Sequence, residues 1–262
     1  MAEALNPAEI FERAAKEGER RLDQSWLELV ATGFIAGFTI MFGLIALGIV
    51  EGLAEPRLGE LARLPGALAF GVGLVFLVVG RAELFSDNFF DPIAAAFRQD
   101  EGQFAGKLAR LWFATLALNL LGGAVLVLVA AVPGTLPPAA GHALDRIAEE
   151  IAHRSWMATL ARAVIGGALV SLLSFLVIAS RGTTGRVLVA WIVGVLLALG
   201  PFDHVVVSML HIAFGLTGDA QVTWGHAGEV GLIALLGNLV GGVGLVTLSH
   251  AAQAKAAERK RD

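Results

Sequence analysis

Two stretches of this chain end in the same phrase, Asn119-Leu120-Leu121-Gly122-Gly123 and Asn238-Leu239-Val240-Gly241-Gly242, and each lies deep in a long apolar run. Each also follows an apolar run interrupted by polar residues. Ser86 in the first interruption precedes Asn119 by 33 positions, and His204 in the second precedes Asn238 by 34. The duplicated pattern implies a membrane protein built from an internal repeat, with a transport site where the two interruptions meet.

Composition agrees with a membrane protein. Of the 262 residues, 56% are hydrophobic and only 16% charged, against roughly 25% charged in a soluble domain. The charges cluster and leave six apolar stretches, about 27–50, 64–97, 105–132, 155–179, 184–216 and 228–249. Each can cross a bilayer, which takes about 20 residues. The second and fifth exceed one simple span and carry polar residues midway, so both read as broken helices. The expected halves are about 27–132 and 155–249 of a channel domain over 27–250. Residues 1–26 form a charged arm, read as an amphipathic helix on the membrane or a solvated one, and 251–262 a basic tail. The arm has no apolar core with a cleavage site, so no signal peptide is expected. The chain has no cysteine, which excludes disulfides and Cys metal sites.

Lysine and arginine orient the chain. On one side lie thirteen: Arg13, Lys16, Arg20, Arg21, Arg98, Lys107, Arg110, Arg181, Arg186, Lys255, Arg259, Lys260 and Arg261. On the other lie four: Arg57, Arg63, Arg146 and Arg154. Positive residues collect in the cytoplasm, so both termini are expected there, in the inner membrane. Arg81 and Arg162 fall inside spans, and Arg162 can snorkel to the interface.

Ionisable residues inside a span are costly and become functional candidates. The first break reads Gly80-Arg81-Ala82-Glu83-Leu84-Phe85-Ser86-Asp87-Asn88 and the second Gly200-Pro201-Phe202-Asp203-His204. Pro201 lacks an N–H and disfavours helix at Gly200. Half-helices should restart near Phe89 and His204, capped by Asp87 or Asn88 and by Asp203. Their positive ends would then face the membrane interior, and with a histidine they favour an anion. His204 is the leading pore candidate. Arg81 and Glu83 are expected to pair and hold the loop. Asn119 and Asn238 should tie neighbouring helices or the breaks together. Gly122, Gly123, Gly237, Gly241, Gly242 and Gly244 suit close helix packing. His211 reads as structural, and His226 and His250 receive no role. No His-Glu-x-x-His, Gly-x-Ser-x-Gly or phosphate-binding loop occurs, so no catalytic residue, metal, cofactor or nucleic-acid partner is expected.

The run 83–88, Asp203-His204 at a Gly-Pro break and the run 237–242 together resemble the formate/nitrite transporter family, over about Leu27 to Ser249. The arm, Arg81 and the closing Ser249-His250-Ala251 are similar to its less-characterised branch. The resemblance implies a homopentamer of six-span protomers with an aquaporin-like fold, each with its own pore for small monovalent anions. It places His204 as the central pore histidine and Ser86 as the hydroxyl bonded to it. Leu84 and Phe85 become a hydrophobic constriction, and Phe70, Leu74 and Leu197 further constriction positions. The chain departs from the family with Ser at 86 for Thr, Arg81 for glycine, Gly167 for a polar amide and no lysine near Ile151. An aquaporin-like neutral-solute pore, and a membrane enzyme or sensor using His204 and Glu83, stand as alternatives. Paired Asn-Pro-Ala motifs, expected of the former, are absent.

Overall fold

The computed structural model describes residues 5–96 and 101–258 of the chain. Arg98, Arg259, Lys260 and Arg261, counted above, lie outside them. The elements of the described residues are all helical and form the same run twice. The first is α1 (Pro7–Leu22), α2 (Trp26–Leu58), α3 (Arg63–Val79), a break, α4 (Asp91–Ala96) and α5 (Glu101–Ala130). The second is α6 (Pro138–Ala152), α7 (Trp156–Ala179), α8 (Gly182–Leu199), a break, α9 (Val205–Thr217) and α10 (Trp224–Leu239). A π-helical stretch, Val240–Thr247, then leads into α11 (Leu248–Glu258). Among the described residues, five helical stretches are long and apolar enough to cross a membrane, and the first of them, Trp26–Val79, holds α2 and α3 in succession.

Local chemistry sets the helix starts. Asn6 and Glu9 form a reciprocal capping box with Pro7 at the first helical position of α1, satisfying two N–H groups that the helix leaves open. Ser25 caps α2 and Ser155 caps α7. Thr223 and His226 cap α10 reciprocally. Trp26, Trp156 and Trp224 begin α2, α7 and α10 and are 59%, 57% and 81% exposed, where an amphipathic ring suits a membrane–water interface. α6 falls in the expected loop between spans 3 and 4. It is amphipathic and buries Ala140, Ala143, Leu144, Ala148 and Ile151.

Contact without side chains lets the helices approach. A Cβ at Gly37 or Gly167 would strike the carbonyl of Asn119 or Asn238, and one at Gly122 or Gly241 the carbonyl of Phe34 or Val164. α2 thus lies backbone to backbone on α5, and α7 on α10 and the π-helical stretch. α3 packs on α8, with Gly71 beneath Trp191, whose Nε1–H donates to the Leu68 carbonyl at 3.1 Å. One core then runs through both halves, from Ile40, Met41 and Phe70 to Val170, Leu197 and Leu210. α1 is docked along one face, while Glu12, Arg13, Lys16 and Arg20 stay exposed. Ala14 and Ala15 are fully buried and cluster with Phe90 and Ala94 at the first break.

Candidate functional site

Both breaks begin with the same backbone bond. The Ala82 N–H donates to Leu77 O at 3.1 Å and the Phe202 N–H to Leu197 O at 3.0 Å. At the first, Arg81 N–H also donates to Val78 O at 3.3 Å, which completes a Schellman ending. Its central residue must be left-handed, and Arg81 has φ of 53°. At the second, Pro201 takes that place and stops α8 by lacking the N–H.

Asn119 and Asn238 then do the same job on each side. Asn119 Oδ1 accepts from Phe85 N–H at 2.8 Å, and its Nδ2 donates to the Gly33 and Glu83 carbonyls at 2.8 and 3.0 Å. Asn238 Oδ1 accepts from Val205 N–H at 2.8 Å, and its Nδ2 donates to the Ala163 and Asp203 carbonyls, both at 2.8 Å. One buried amide therefore satisfies three backbone groups that the unwound chain exposes, which apolar surroundings require. The bonds align Phe85 with Val205 and Glu83 with Asp203. His204 thus occupies the place of Leu84 in the other half, not that of Ser86.

Each break also carries a buried carboxylate held by arginine, from α1 at the first and from just past the end of α6 at the second. Glu83 accepts from Arg20 Nη2 at 2.9 Å and Gln24 Nε2 at 3.0 Å, and pairs with Arg21 Nε at 3.4 Å. Arg21 also bonds Asn88 Oδ1 at 3.1 Å and pairs with Asp91 at 3.4 Å. Asp203 accepts from Arg154 Nη1 at 2.5 Å and from the Ser208 hydroxyl at 3.0 Å. Outside the spans, burial alone would raise the Glu17 carboxyl, but hydrogen bonds and charge from Arg20 and Arg21 outweigh it and hold Glu17 below its usual range.

Several expectations are corrected here. Arg81 does not pair with Glu83. Its left-handed backbone leaves the side chain exposed, while α1 brings Arg20 and Arg21 onto the carboxylate. Asp203 does not cap α9. His204 is the capping residue, its Nδ1 accepting from Val207 N–H at 3.4 Å, because the Asp203 oxygens are already engaged by Arg154 and Ser208. The chain after the first break makes a 3-10 turn, Phe85–Phe89, before α4 starts at Asp91. Asp87 instead meets the Ser174 hydroxyl at 3.4 Å, and Asn88 Nδ2 donates to Leu84 O at 3.2 Å.

The breaks meet at one contact, in which Ser86 Oγ is hydrogen bonded to His204 Nε2. Ser86 is 0% and His204 1% exposed. Around them Leu84, Phe85, Leu74 and Phe89 are fully buried. Phe85 lies edge-to-face on Phe89 at 5.0 Å, and Trp112 closes on Phe89 at 5.6 Å while its Nε1–H holds Asn88 O at 2.9 Å. On the Arg154 side, a cavity of ≈ 80 Å³ is lined by Phe70, Leu197, Phe202, Asp203, Ser208 and His211, with Glu51, Arg63, Glu150 and Arg154 among the rest. Sequence reasoning missed Arg20, Arg21, Arg154 and the cavity face of His211. The signal available was that two intramembrane carboxylates each required a cation.

A family model described as formate/nitrite transporter matches residues 8–252. The chain belongs to the formate/nitrite transporter family. It is 28% identical over 251 residues to the uncharacterized transporter YrhG of Bacillus subtilis (strain 168), covering 93% of this chain and 91% of that protein. It is 24% identical over 247 residues to the formate channel BtFdhC of Bacillus thuringiensis, covering 93% of each. Among solved structures, an FNT family ion channel superposes with a TM-score of 0.79 at 18% identity, over 93% of this chain and 98% of that one. A pentameric formate channel with formate bound superposes with a TM-score of 0.66 at 19% identity, over 88% and 94%. The chain therefore shares the all-helical channel fold of this family of multi-pass transporters and channels.

Proposed function

We propose that this chain forms a channel for small monovalent anions of weak acids, of the formate and nitrite type, with His204 at the centre of its path. The observation that carries the reading is the buried Ser86–His204 contact where the two breaks meet. The matched Asn119 and Asn238 bonds support an aquaporin-like inverted repeat of six spans, with spans 2 and 5 broken. In this reading residues 27–250 are the channel domain, flanked by the arm 1–26 and the tail 251–262. Both termini are cytoplasmic in the inner membrane. Five copies assemble, as in the pentameric formate channel it superposes on, with one pore per protomer.

The chemistry follows from what surrounds the pair. Leu84 and Phe85 on one side, with Leu74, Phe70 and Leu197 on the other, form dry rings that a hydrated anion crosses only after shedding water. His204 Nδ1 accepts the Val207 N–H, which places the ring proton on Nε2. The neutral ring then donates to Ser86 Oγ, leaving the serine hydroxyl free to donate to an anion between the rings. Protonating Nδ1 would set two N–H groups against each other. This geometry favours hydrogen-bond donation by a neutral ring over a fixed positive charge. Arg81, exposed at the start of the loop, has no part in the path.

The test is uptake of formate and nitrite by proteoliposomes, with and without a pH gradient. His204→Phe keeps bulk but removes the donor, and flux should fall at least about a hundredfold with assembly intact. His204→Asn retains an N–H donor and cannot shuttle a proton near neutral pH, so it should conduct at a sizeable fraction of the wild-type rate. Wild-type flux through His204→Phe would overturn the site. Loss of all flux in His204→Asn would replace hydrogen-bond donation by proton relay.

A further inference from the structure

A groove of ≈ 490 Å³ runs along the seam between α2 and α5 and shares no residue with the cavity beside Arg154. Arg110, Phe113, Ala114, Ala117 and Leu118 line its α5 wall at i, i+3, i+4, i+7 and i+8, which is one face of a helix. Trp26 and Val30, one turn apart, line the α2 wall. Trp26, Val30 and Phe113 are exposed, while the small side chains of Ala114 and Ala117 leave the slot between them open. From Arg110 to Leu118 the groove covers about 12 Å of helix axis, close to the ~15 Å depth of one apolar leaflet. Apart from Arg110 and the Trp26 indole, the residues along it are apolar.

Arg110 stands at the head of this groove with its charge unbalanced. Its Nη2 donates to the Leu22 and Gln24 carbonyls at 2.8 and 3.0 Å, and the guanidinium lies over the Trp26 ring at 5.5 Å. Nε is sealed and bonds to nothing. Nη1 makes no bond among the described residues, and none of their carboxylates pairs with the group. Lys107, one turn earlier, is the contrast, paired with Asp23 at 2.6 Å. A snorkelling arginine would stretch out to water. Arg110 is instead tied down by two carbonyls at the joint between α1 and α2. An unpaired cation fixed beside an interfacial tryptophan, with an apolar slot running below it, has the layout of an amphiphile's partner: an anionic head above and hydrocarbon beneath. Contact with lipid tails alone would require neither the charge nor the slot.

We propose that this groove holds one anionic phospholipid, of the phosphatidylglycerol kind, from the leaflet on the α1 side of the membrane. Its phosphodiester meets Arg110 Nη1, and one acyl chain lies between Val30 and Ala117. The bound phosphate braces the joint, because the same guanidinium holds the end of α1 at Leu22 and the approach to α2 at Gln24. Occupancy of the groove does not depend on which solute the pore passes.

The experiment is native mass spectrometry of the full-length assembly, released from micelles that contain equal amounts of phosphatidylglycerol and phosphatidylcholine with the same acyl chains. The unaltered protein should retain phosphatidylglycerol about fivefold over phosphatidylcholine. Arg110→Gln removes the charge and should bring the two lipids level. Ala117→Phe fills the slot below the guanidinium and leaves Arg110 in place. It should lose the retained phosphatidylglycerol while the mass of the assembly stays the same. Arg110→Gln also loosens the joint with α1, so Ala117→Phe decides the matter if that variant fails to assemble. Equal retention of the two lipids by the unaltered protein overturns the site. So does undiminished phosphatidylglycerol on Ala117→Phe, or on an assembled Arg110→Gln. Breakdown of the assembly in Ala117→Phe also overturns it and gives the groove to a neighbouring copy of the chain.

Discussion

Three backbone groups depend on each of the two intramembrane amides, and this makes Asn119 and Asn238 the residues least open to change. Asn238→Leu would leave Val205 N–H and the Ala163 and Asp203 carbonyls without partners in a dry site. We expect a loss of about 3 kcal/mol or more, seen as a fall in the assembled fraction on gel filtration in mild detergent. Normal assembly of Asn238→Leu would show that the amide is not what holds the second break. Arg81 is the opposite case. It holds a left-handed conformation with its side chain exposed and no ion pair among the described residues. Such a backbone costs a residue with a Cβ about 1 kcal/mol. Arg81→Gly should therefore raise the melting temperature of the solubilised protein without altering flux. A fall in melting temperature would mean that the arginine has a partner in the assembly or membrane. The sequence displayed the duplicated asparagines plainly, because identical side chains recur at equal spacing. Their bonding partners were hidden because carbonyls of Gly33 and Ala163 leave no trace in residue identity. The Glu83 partner was misread for a related reason. Arg81 stands two positions away, whereas Arg20 is 63 positions distant and reaches Glu83 only through the fold.

At the scale of elements, helix spacing is set where glycine lets backbone meet backbone. Gly37 on α2 faces the Asn119 carbonyl, and Gly167 on α7 faces that of Asn238. A methyl group at either position must push apart the helix that carries the bonding asparagine. Gly37→Ala and Gly167→Ala should each cost about 3 kcal/mol and lower flux as well, since the break moves with its anchor. Gly106 and Gly141 provide the control, with nothing within 4 Å of an added Cβ. Alanine there should be neutral or stabilise by up to about 1 kcal/mol. Equal melting temperatures for the four variants would refute the spacing argument. The long apolar elements were legible as hydropathy, but α6 was not. It is short and amphipathic, and its meaning depends on Arg154 at its end reaching Asp203. The π-helical stretch had no sequence signature beyond clustered glycine. Thr247 secures it by donating to the Gly242 and Phe89 carbonyls, both at 2.9 Å.

For the whole molecule, the asymmetry of charge and the placement of aromatics have to agree on one orientation. Trp26 and Trp156 open α2 and α7 in the two halves, and in an inverted repeat they belong at opposite membrane faces. The cavity opens on the face that carries Arg63 and Arg154, which the proposed topology puts outside the cytoplasm. An anion would then enter that cavity from outside, and Arg20, Arg21 and Glu83 would lie toward the cytoplasm. The absence of cysteine makes the orientation testable with single reporters. Asp219 after α9 and Thr183 at the start of α8 are both exposed, and they lie at opposite ends of the α8–α9 path. In intact cells, Asp219→Cys should react with a membrane-impermeant maleimide at once. Thr183→Cys should react only after the membrane is permeabilised. The reverse pattern would put the termini and α1 outside, and Arg154 would then face the cytoplasm. The inward and outward roles assigned to the two ends of the pore would have to be exchanged.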